Sequence, residues 1–141
     1  MKKRILMVDD DESVRESLRR ILEDAGYDVT LAVDGNDGEA RLASGAFDLT
    51  ILDLNMPGRD GWDVLGAASA AYPMMPVIIV TGMFDQLDST VFPGVAALLK
   101  KPIDVPPLMK AIEGALSETF EQRLGRATAA RHVEPWTRVG G

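Results

Sequence analysis

Residues 77–81 read "VIIVT". Four consecutive β-branched apolar side chains suit a strand buried on both faces, the position a central strand takes in a parallel sheet. Outward from it, short apolar runs alternate with amphipathic segments, the pattern of a parallel sheet covered by helices. Five strands are expected: Arg4 to Val8, Tyr27 to Val33, Asp48 to Asp53, Val77 to Thr81 and Val95 to Lys100. The fold class that follows is α/β, a doubly wound five-stranded parallel sheet with helices on both faces.

The connections differ in how strongly they read as helices. Val14, Leu18, Ile21, Leu22 and Ala25 fall at helical spacing, and Gly26 stands where a helix-terminating glycine belongs. The segment around Gly38 to Gly45 is weakened by its glycines, while Asp60 to Tyr72 reads as a helix entered through a turn at Pro57-Gly58 and capped near Asp60. Phe84, Leu87 and Val91 predict a short helix before Pro93 stops it. Leu108, Ile112, Ala115, Leu116, Phe120 and Leu124 form one long stripe from Val105 to about Leu124. Beyond Gly125 the apolar period ends and arginines accumulate, so residues 1–125 are expected to form the domain and 126–141 a C-terminal tail or linker remnant.

Composition removes whole classes of function. The 141 residues contain no cysteine and a single histidine, His132, which excludes thiolate chemistry, disulfides and histidine-rich metal sites. A net charge of −7 disfavours non-specific binding to nucleic acid or anionic membranes and points to proteins or cations as partners. The basic opening Met1-Lys2-Lys3-Arg4 is followed by an apolar run that ends at Val8 against aspartates, so it is not a signal peptide, and a cytoplasmic location is expected.

In an open α/β sheet, ligands bind where the carboxyl ends of adjacent strands converge. Strand one ends in Asp9 and Asp10, strand three in Asp53, strand four in Thr81 and strand five in Lys100-Lys101-Pro102. Three gathered carboxylates repel by about 4 kcal/mol per adjacent pair at an effective dielectric of about 20. Lys101 leaves the group at a formal −2, which a divalent cation neutralises; few, hard oxygen ligands favour Mg²⁺. Carboxylates, a cation, a lysine and a hydroxyl are the parts that phosphoryl transfer requires, with Asp53 as nucleophile and Lys101 and Thr81 binding phosphoryl oxygens. Taken singly, the acidic run is a solvated helix entry, Thr81 a strand-end residue and Lys-Lys-Pro an exposed turn. Asp53 directly follows Leu-Thr-Ile-Leu, where a carboxylate without a role would cost burial energy.

Together "ILMVDDDESVRESL", "FDLTILDLNMPGRDGWDVL", "VIIVTG" and "LLKKP" resemble the receiver domain of bacterial two-component response regulators, of the CheY-like chemotaxis type, over roughly residues 3 to 122. The resemblance implies a flavodoxin-like fold phosphorylated on Asp53 by a sensor histidine kinase or phosphotransfer protein. It implies Mg²⁺ held by Asp10, Asp53 and the backbone carbonyl of Asn55, with Asp9 acting through water, and a phosphoryl site of Thr81, Gly82 and Lys101. Gly82 matches the small residue that leaves the phosphoryl group accessible, and Asn55 and Met83 sit at positions that tune acyl-phosphate hydrolysis. In the family Lys101-Pro102 is commonly cis. Asp11 and Glu12 match no essential position and favour the helix N-terminus electrostatically. The output is a protein target, with no membrane contact and no direct nucleic-acid binding by this chain; a homodimer through the fourth and fifth helix region is compatible with it.

One departure stands out. Receivers usually carry an aromatic residue three positions before the motif lysine, and here that position is Leu98. The expectation is that signal output runs instead through reordering of Phe84 to Pro93. Trp62 reads as ordinarily half-buried near the nucleophile loop, while His132 and Trp136 receive no role. Three other readings compete. A haloacid-dehalogenase-type phosphatase needs an acid two residues after the nucleophile, where Asn55 stands. A receiver-like protein-binding module that is never phosphorylated has no need of the acceptor residues present. A DNA-binding regulator needs an output domain, for which the residues after 125 leave no room, so the chain is expected to be a stand-alone receiver or the N-terminal part of a longer regulator.

Overall fold

A computed structural model describes residues 2–54, 61–82 and 95–131, with side chains to residue 128. The strands are β1 (Arg4–Val8), β2 (Asp28–Ala32), β3 (Leu49–Asp53), β4 (Val77–Thr81) and β5 (Ala97–Lys100). Each expected strand is present; β2, β3 and β5 are shorter than the apolar runs that mark them. All pairings are parallel and the order is β2-β1-β3-β4-β5. After β1 the chain builds outward to β2, then crosses back to place β3 on the other side. The carboxyl ends of β1 and β3 therefore flank the switch point where such sheets bind ligands.

Helices α1 (Glu12–Asp24), α2 (Gly35–Ser44), α3 (Gly61–Ala71), α4 (Val105–Leu116) and α5 (Phe120–Arg131) complete the described elements. Alternate residues of the strands feed two cores. Leu6, Val8, Leu52 and Ile79 meet Leu42 of α2 and Val64, Leu65 and Ala68 of α3. On the other face Ile5, Met7, Ile51, Ile78 and Val80 meet Leu18 and Leu22 of α1 and Leu108 and Ile112 of α4. β3 and β4 are buried along their whole length, with Thr50, Asp53 and Thr81 buried among their apolar residues.

Three features of the helices depart from the sequence reading or sharpen it. α2 is a full helix of 10 residues despite its glycines. A Cβ built on Gly38 would stand 3.1 and 3.2 Å from the two methyls of Val8, so the glycine that weakens the helical signal is the one that lets α2 approach β1. The single stripe from Val105 to about Leu124 is broken: α4 ends at Leu116 with Ser117 as its C-cap, and α5 starts afresh with a reciprocal capping box. There Gln122 N donates to Thr119 Oγ1 at 3.1 Å and Thr119 N donates to Gln122 Oε1 at 2.9 Å. α5 then runs to Arg131, past the end of the apolar stripe, with Phe120 and Leu124 exposed and Ala127 buried. Gly26 closes α1 at φ +98°, as expected of a C-terminal glycine. The expected helix at Phe84 to Pro93, the Pro57-Gly58 turn, the cap near Asp60, and His132 and Trp136 lie outside the described residues.

Candidate functional site

β1 delivers the acidic run, and its first steps divide the four acids between two tasks. Asp9 N donates to Ala32 O at 3.2 Å, and Asp9 is 1 % exposed. One residue further Asp10 is exposed. Asp11 is the N-cap of α1: its Oδ1 accepts from Ser13 N at 2.9 Å, Val14 N at 3.3 Å and the Ser13 hydroxyl at 2.8 Å. The Ser13 hydroxyl and the two amides hold its carboxyl below the ordinary carboxylate value. Glu12 occupies the first turn of α1, where the helix dipole favours an anion. The bonded cap is more than the electrostatic preference the sequence suggests for Asp11.

β3 ends in Asp53, which is 2 % exposed. One carboxylate oxygen each from Asp9, Asp10 and Asp53 lie within 4.8 Å of one another. Lys101 reaches back from beyond β5, its Nζ 3.0 Å from Asp53 Oδ2 and 3.1 Å from Asp9 Oδ2. Its backbone is tied at the same end of the sheet, with Lys101 N donating to Thr81 O at 2.9 Å, and the Lys101-Pro102 peptide is cis. Burial pushes the ammonium pKa down, but the hydrogen bond to Asp53 and the charges of Asp53 and Asp9 outweigh it, so the pKa lies above the ordinary lysine value. Lys101 is a bridging cation between two buried carboxylates, and three carboxylates with one ammonium leave a formal −2. Hard carboxylate oxygens, two from buried residues and one from exposed Asp10, converging from two adjacent strands with uncompensated negative charge are a donor set suited to a small divalent cation.

Thr81 is fully buried at the end of β4, one residue beyond Val80, the partner of Asp53 in the ladder. Gly82 follows, and a Cβ built there meets nothing within 4 Å. Leu98 is half-buried against the core that contains Val8, Leu52 and Ile79, opposite Ile79 in the ladder. Trp62 packs against the same core from α3. The structure thus gathers Asp9, Asp10, Asp53 and Lys101 at one point and sets Thr81 and Gly82 at the same sheet end, while Asn55 and Met83 lie outside the described residues.

Two residues that shape the site escape the sequence reading. Arg15, one turn into α1, donates from Nη1 to the Asp9 carbonyl oxygen at 2.8 Å. Gly61, the first residue of α3, lies so close to β3 that a Cβ would stand 2.2 Å from Asp53 O and 2.5 Å from Leu54 Cα. A lone arginine among helical charges gives no sequence signal, but glycine directly after Arg59-Asp60 in the quoted motif was a usable one.

The response regulator receiver domain model matches residues 5–113, and this chain belongs to that family. Among curated relatives, the DNA-binding transcriptional regulator NtrC of Salmonella typhimurium is 38% identical over 125 residues, covering 86% of this chain and 26% of that protein. The transcriptional regulatory protein DltR of Streptococcus agalactiae is 32% identical over 129 residues, covering 86% of this chain and 58% of that protein. The chain therefore spans about a quarter of the one and just over half of the other. A CheY-like receiver domain from Methanospirillum hungatei superposes with a TM-score of 0.77 at 32% identity, over 88% of this chain and 98% of that one. The response regulator TrrA of Thermotoga maritima, in complex with Mg²⁺ and BeF, has a TM-score of 0.74 at 28% identity over 80% of this chain and 98% of that one.

Proposed function

We propose that this chain is the phosphoacceptor of a two-component signalling system, in which Asp53 takes a phosphoryl group from a histidine kinase or phosphotransfer protein and the change regulates a protein partner. The observation that supports it is the buried Asp53 carboxylate held at the switch point by Lys101 beside Asp9 and Asp10. Mg²⁺ would be held by the Asp10 and Asp53 side chains and the Asn55 backbone carbonyl, with Asp9 acting through water, and would supply neutralising charge to the phosphoryl oxygens. Asp53 contributes a carboxylate oxygen that forms the new P–O bond. The donor's P–N bond breaks, its electron pair staying on the imidazole nitrogen.

Lys101 has a second task in this reading. Its ammonium, 3.0 Å from the Asp53 oxygen in the resting state, transfers its hydrogen bond to an incoming phosphoryl oxygen. The Thr81 hydroxyl binds another, and Gly82 leaves the approach open. The chemistry ends on the chain's own side chain and is reversed by hydrolysis, so no separate substrate is turned over. The output partner is a protein, with no direct nucleic-acid or membrane binding by this chain and a cytoplasmic location. Among the described residues no helix is long and apolar enough to cross a membrane. The receiver is assigned to residues 1–125, with 126–141 as tail or linker remnant, although α5 continues across that boundary.

Incubation with acetyl phosphate and Mg²⁺ followed by intact-mass measurement tests the reading. Wild type is expected to gain one phosphoryl adduct and Asp53→Asn none; an adduct on both, or on neither, overturns it. Leu98 favours a second reading, a module that binds its partner whether or not it is phosphorylated. That reading requires the adduct to form while amide resonances outside the pocket stay unchanged.

A further inference from the structure

The Asp9–Asp10 peptide links two of the three clustered carboxylates, so its orientation sets where both side chains aim. Three hydrogen bonds converge on Asp9, and one of them falls on this peptide. Asp9 N is fixed to Ala32 O of β2, Asp9 Oδ1 accepts from Asp11 N at 2.9 Å, and the Asp9 carbonyl accepts from Arg15 Nη1 at 2.8 Å. The first two are local consequences of strand pairing and helix entry. The third is a long side chain reaching back six residues from α1 to a part-buried carbonyl. A bond from a guanidinium is charge-assisted and stronger than one between neutral groups.

In the metal-free site a guanidinium beside a formally −2 cluster is electrostatically favoured. When a divalent cation occupies the carboxylate cluster, a nearby guanidinium opposes it by like-charge repulsion. Electrostatics and positioning therefore predict opposite signs for the removal of Arg15, which makes the two separable by experiment. We propose that Arg15 is a positioning residue of the receiver site: through the Asp9 carbonyl it holds the β1–α1 turn so that the Asp9 and Asp10 carboxylates are pre-aimed for a divalent cation. Groups that orient the residues around a metal typically affect its affinity by tenfold or more. The proposal rests on the phosphoacceptor reading of the site.

Titration calorimetry with MgCl₂ on the full chain, wild type against Arg15→Ala, Arg15→Gln and Arg15→Lys, decides it. Positioning predicts that Mg²⁺ Kd rises about tenfold in Ala and Gln and by less in Lys, whose ammonium can reach the carbonyl with one bond. Acetyl-phosphate labelling at saturating Mg²⁺ should still yield the Asp53 adduct in all three. Unchanged Kd with a lowered Tm in metal-free buffer would mean that Arg15 only supports α1, and tighter binding in Ala and Gln with no change in Lys would mean that it acts as a repelling charge; either result overturns the proposal. Far-UV circular dichroism confirms that each variant is folded, and Arg15→Lys carries the comparison if Ala does not fold. A wild type that neither binds Mg²⁺ nor accepts phosphoryl would instead overturn the phosphoacceptor reading beneath it.

Discussion

At the amino end of the sheet Arg4 lies over the Phe47 ring at 5.0 Å, pairs with Asp28 at 3.9 Å and donates its backbone N–H to Asp48 Oδ2 at 2.8 Å. At the carboxyl end Lys101 pairs with Asp9 and Asp53 at 3.1 and 3.0 Å. The side-chain chemistry is the same and the surroundings are opposite. The Arg4 and Asp28 side chains are 43% and 59% exposed, whereas those of Asp9 and Asp53 are 2% exposed. The Arg4–Asp28 pair is one cation against one anion and stays largely in water, where an ion pair contributes little. At the carboxyl end Asp9 and Asp53 are desolvated and, with the exposed Asp10, outnumber the one ammonium, a state that costs stability and is retained where a ligand compensates it. The difference locates function without any motif.

The largest expected effect tests how tightly the carboxyl end is built. Gly61→Ala places a methyl 2.2 Å from Asp53 O, against backbone rather than a side chain that can swing away. Overpacking of this kind should lower the stability of the protein by about 3 kcal/mol, read as a shift in the urea midpoint. Displacement of Asp53 should also slow its labelling by acetyl phosphate. The control is Gly66→Ala, five residues along the same helix, where a Cβ meets nothing within 4 Å. There alanine's higher helix propensity should raise stability by about 0.5–1 kcal/mol. Equal effects at the two positions would break the claim that α3 is pressed onto β3 at Gly61.

A smaller effect, of unusual sign, separates the two ends directly. Removing the charge of Asp53 relieves two repulsions across no more than 4.8 Å and loses the attraction to Lys101 at 3.0 Å. At an effective dielectric of about 20 the repulsions come to about 7 kcal/mol and the attraction to about 5.5. Asp53→Asn should therefore stabilise the metal-free protein by about 1.5 kcal/mol and abolish most of the stabilisation that Mg²⁺ gives wild type. A destabilised variant in metal-free buffer would show the cluster to be balanced after all. The raised pKa of Lys101 adds a pH dependence with a definite sign: its contribution is complete below the ordinary value of 10.5 and is lost as pH rises through the higher folded-state value.

The sheet was legible because buried parallel strands announce themselves as short, largely aliphatic runs, and the cluster because strand ends converge by topology alone. Asp9, Asp10, Asp53 and Lys101 need only the strand order to be brought together. What the sequence hid depends on close approach and on competition between local signals. Gly38 reads as a helix weakener and Gly61 passes unremarked inside the Asp60–Tyr72 helix, yet each is small because a neighbouring strand lies against the place of a Cβ. The α4–α5 break was hidden because the apolar spacing runs on through it, while Thr119 and Gln122, an unmistakable capping box once seen, interrupt the backbone. Arg15 was illegible for a different reason: its bond is to a carbonyl, which every residue has.

The smallest effects belong to the amino end, and their smallness is itself the prediction. Asp28→Asn removes one partner of a 3.9 Å pair between two exposed side chains, and screening and side-chain entropy leave such a pair worth less than about 0.5 kcal/mol. Asp48→Ala should cost more, about 1 kcal/mol, because the Arg4 amide then loses its acceptor at a part-buried position. Neither should alter Mg²⁺ binding or Asp53 labelling, since both lie at the opposite end of the strands from the cluster. If Asp28→Asn instead stabilised the protein as Asp53→Asn does, charge crowding would be a property of the whole sheet rather than of one end. Urea titrations of the two variants in 0.1 M and 1 M salt distinguish these cases, because an exposed pair is screened out at high salt and a buried cluster is not.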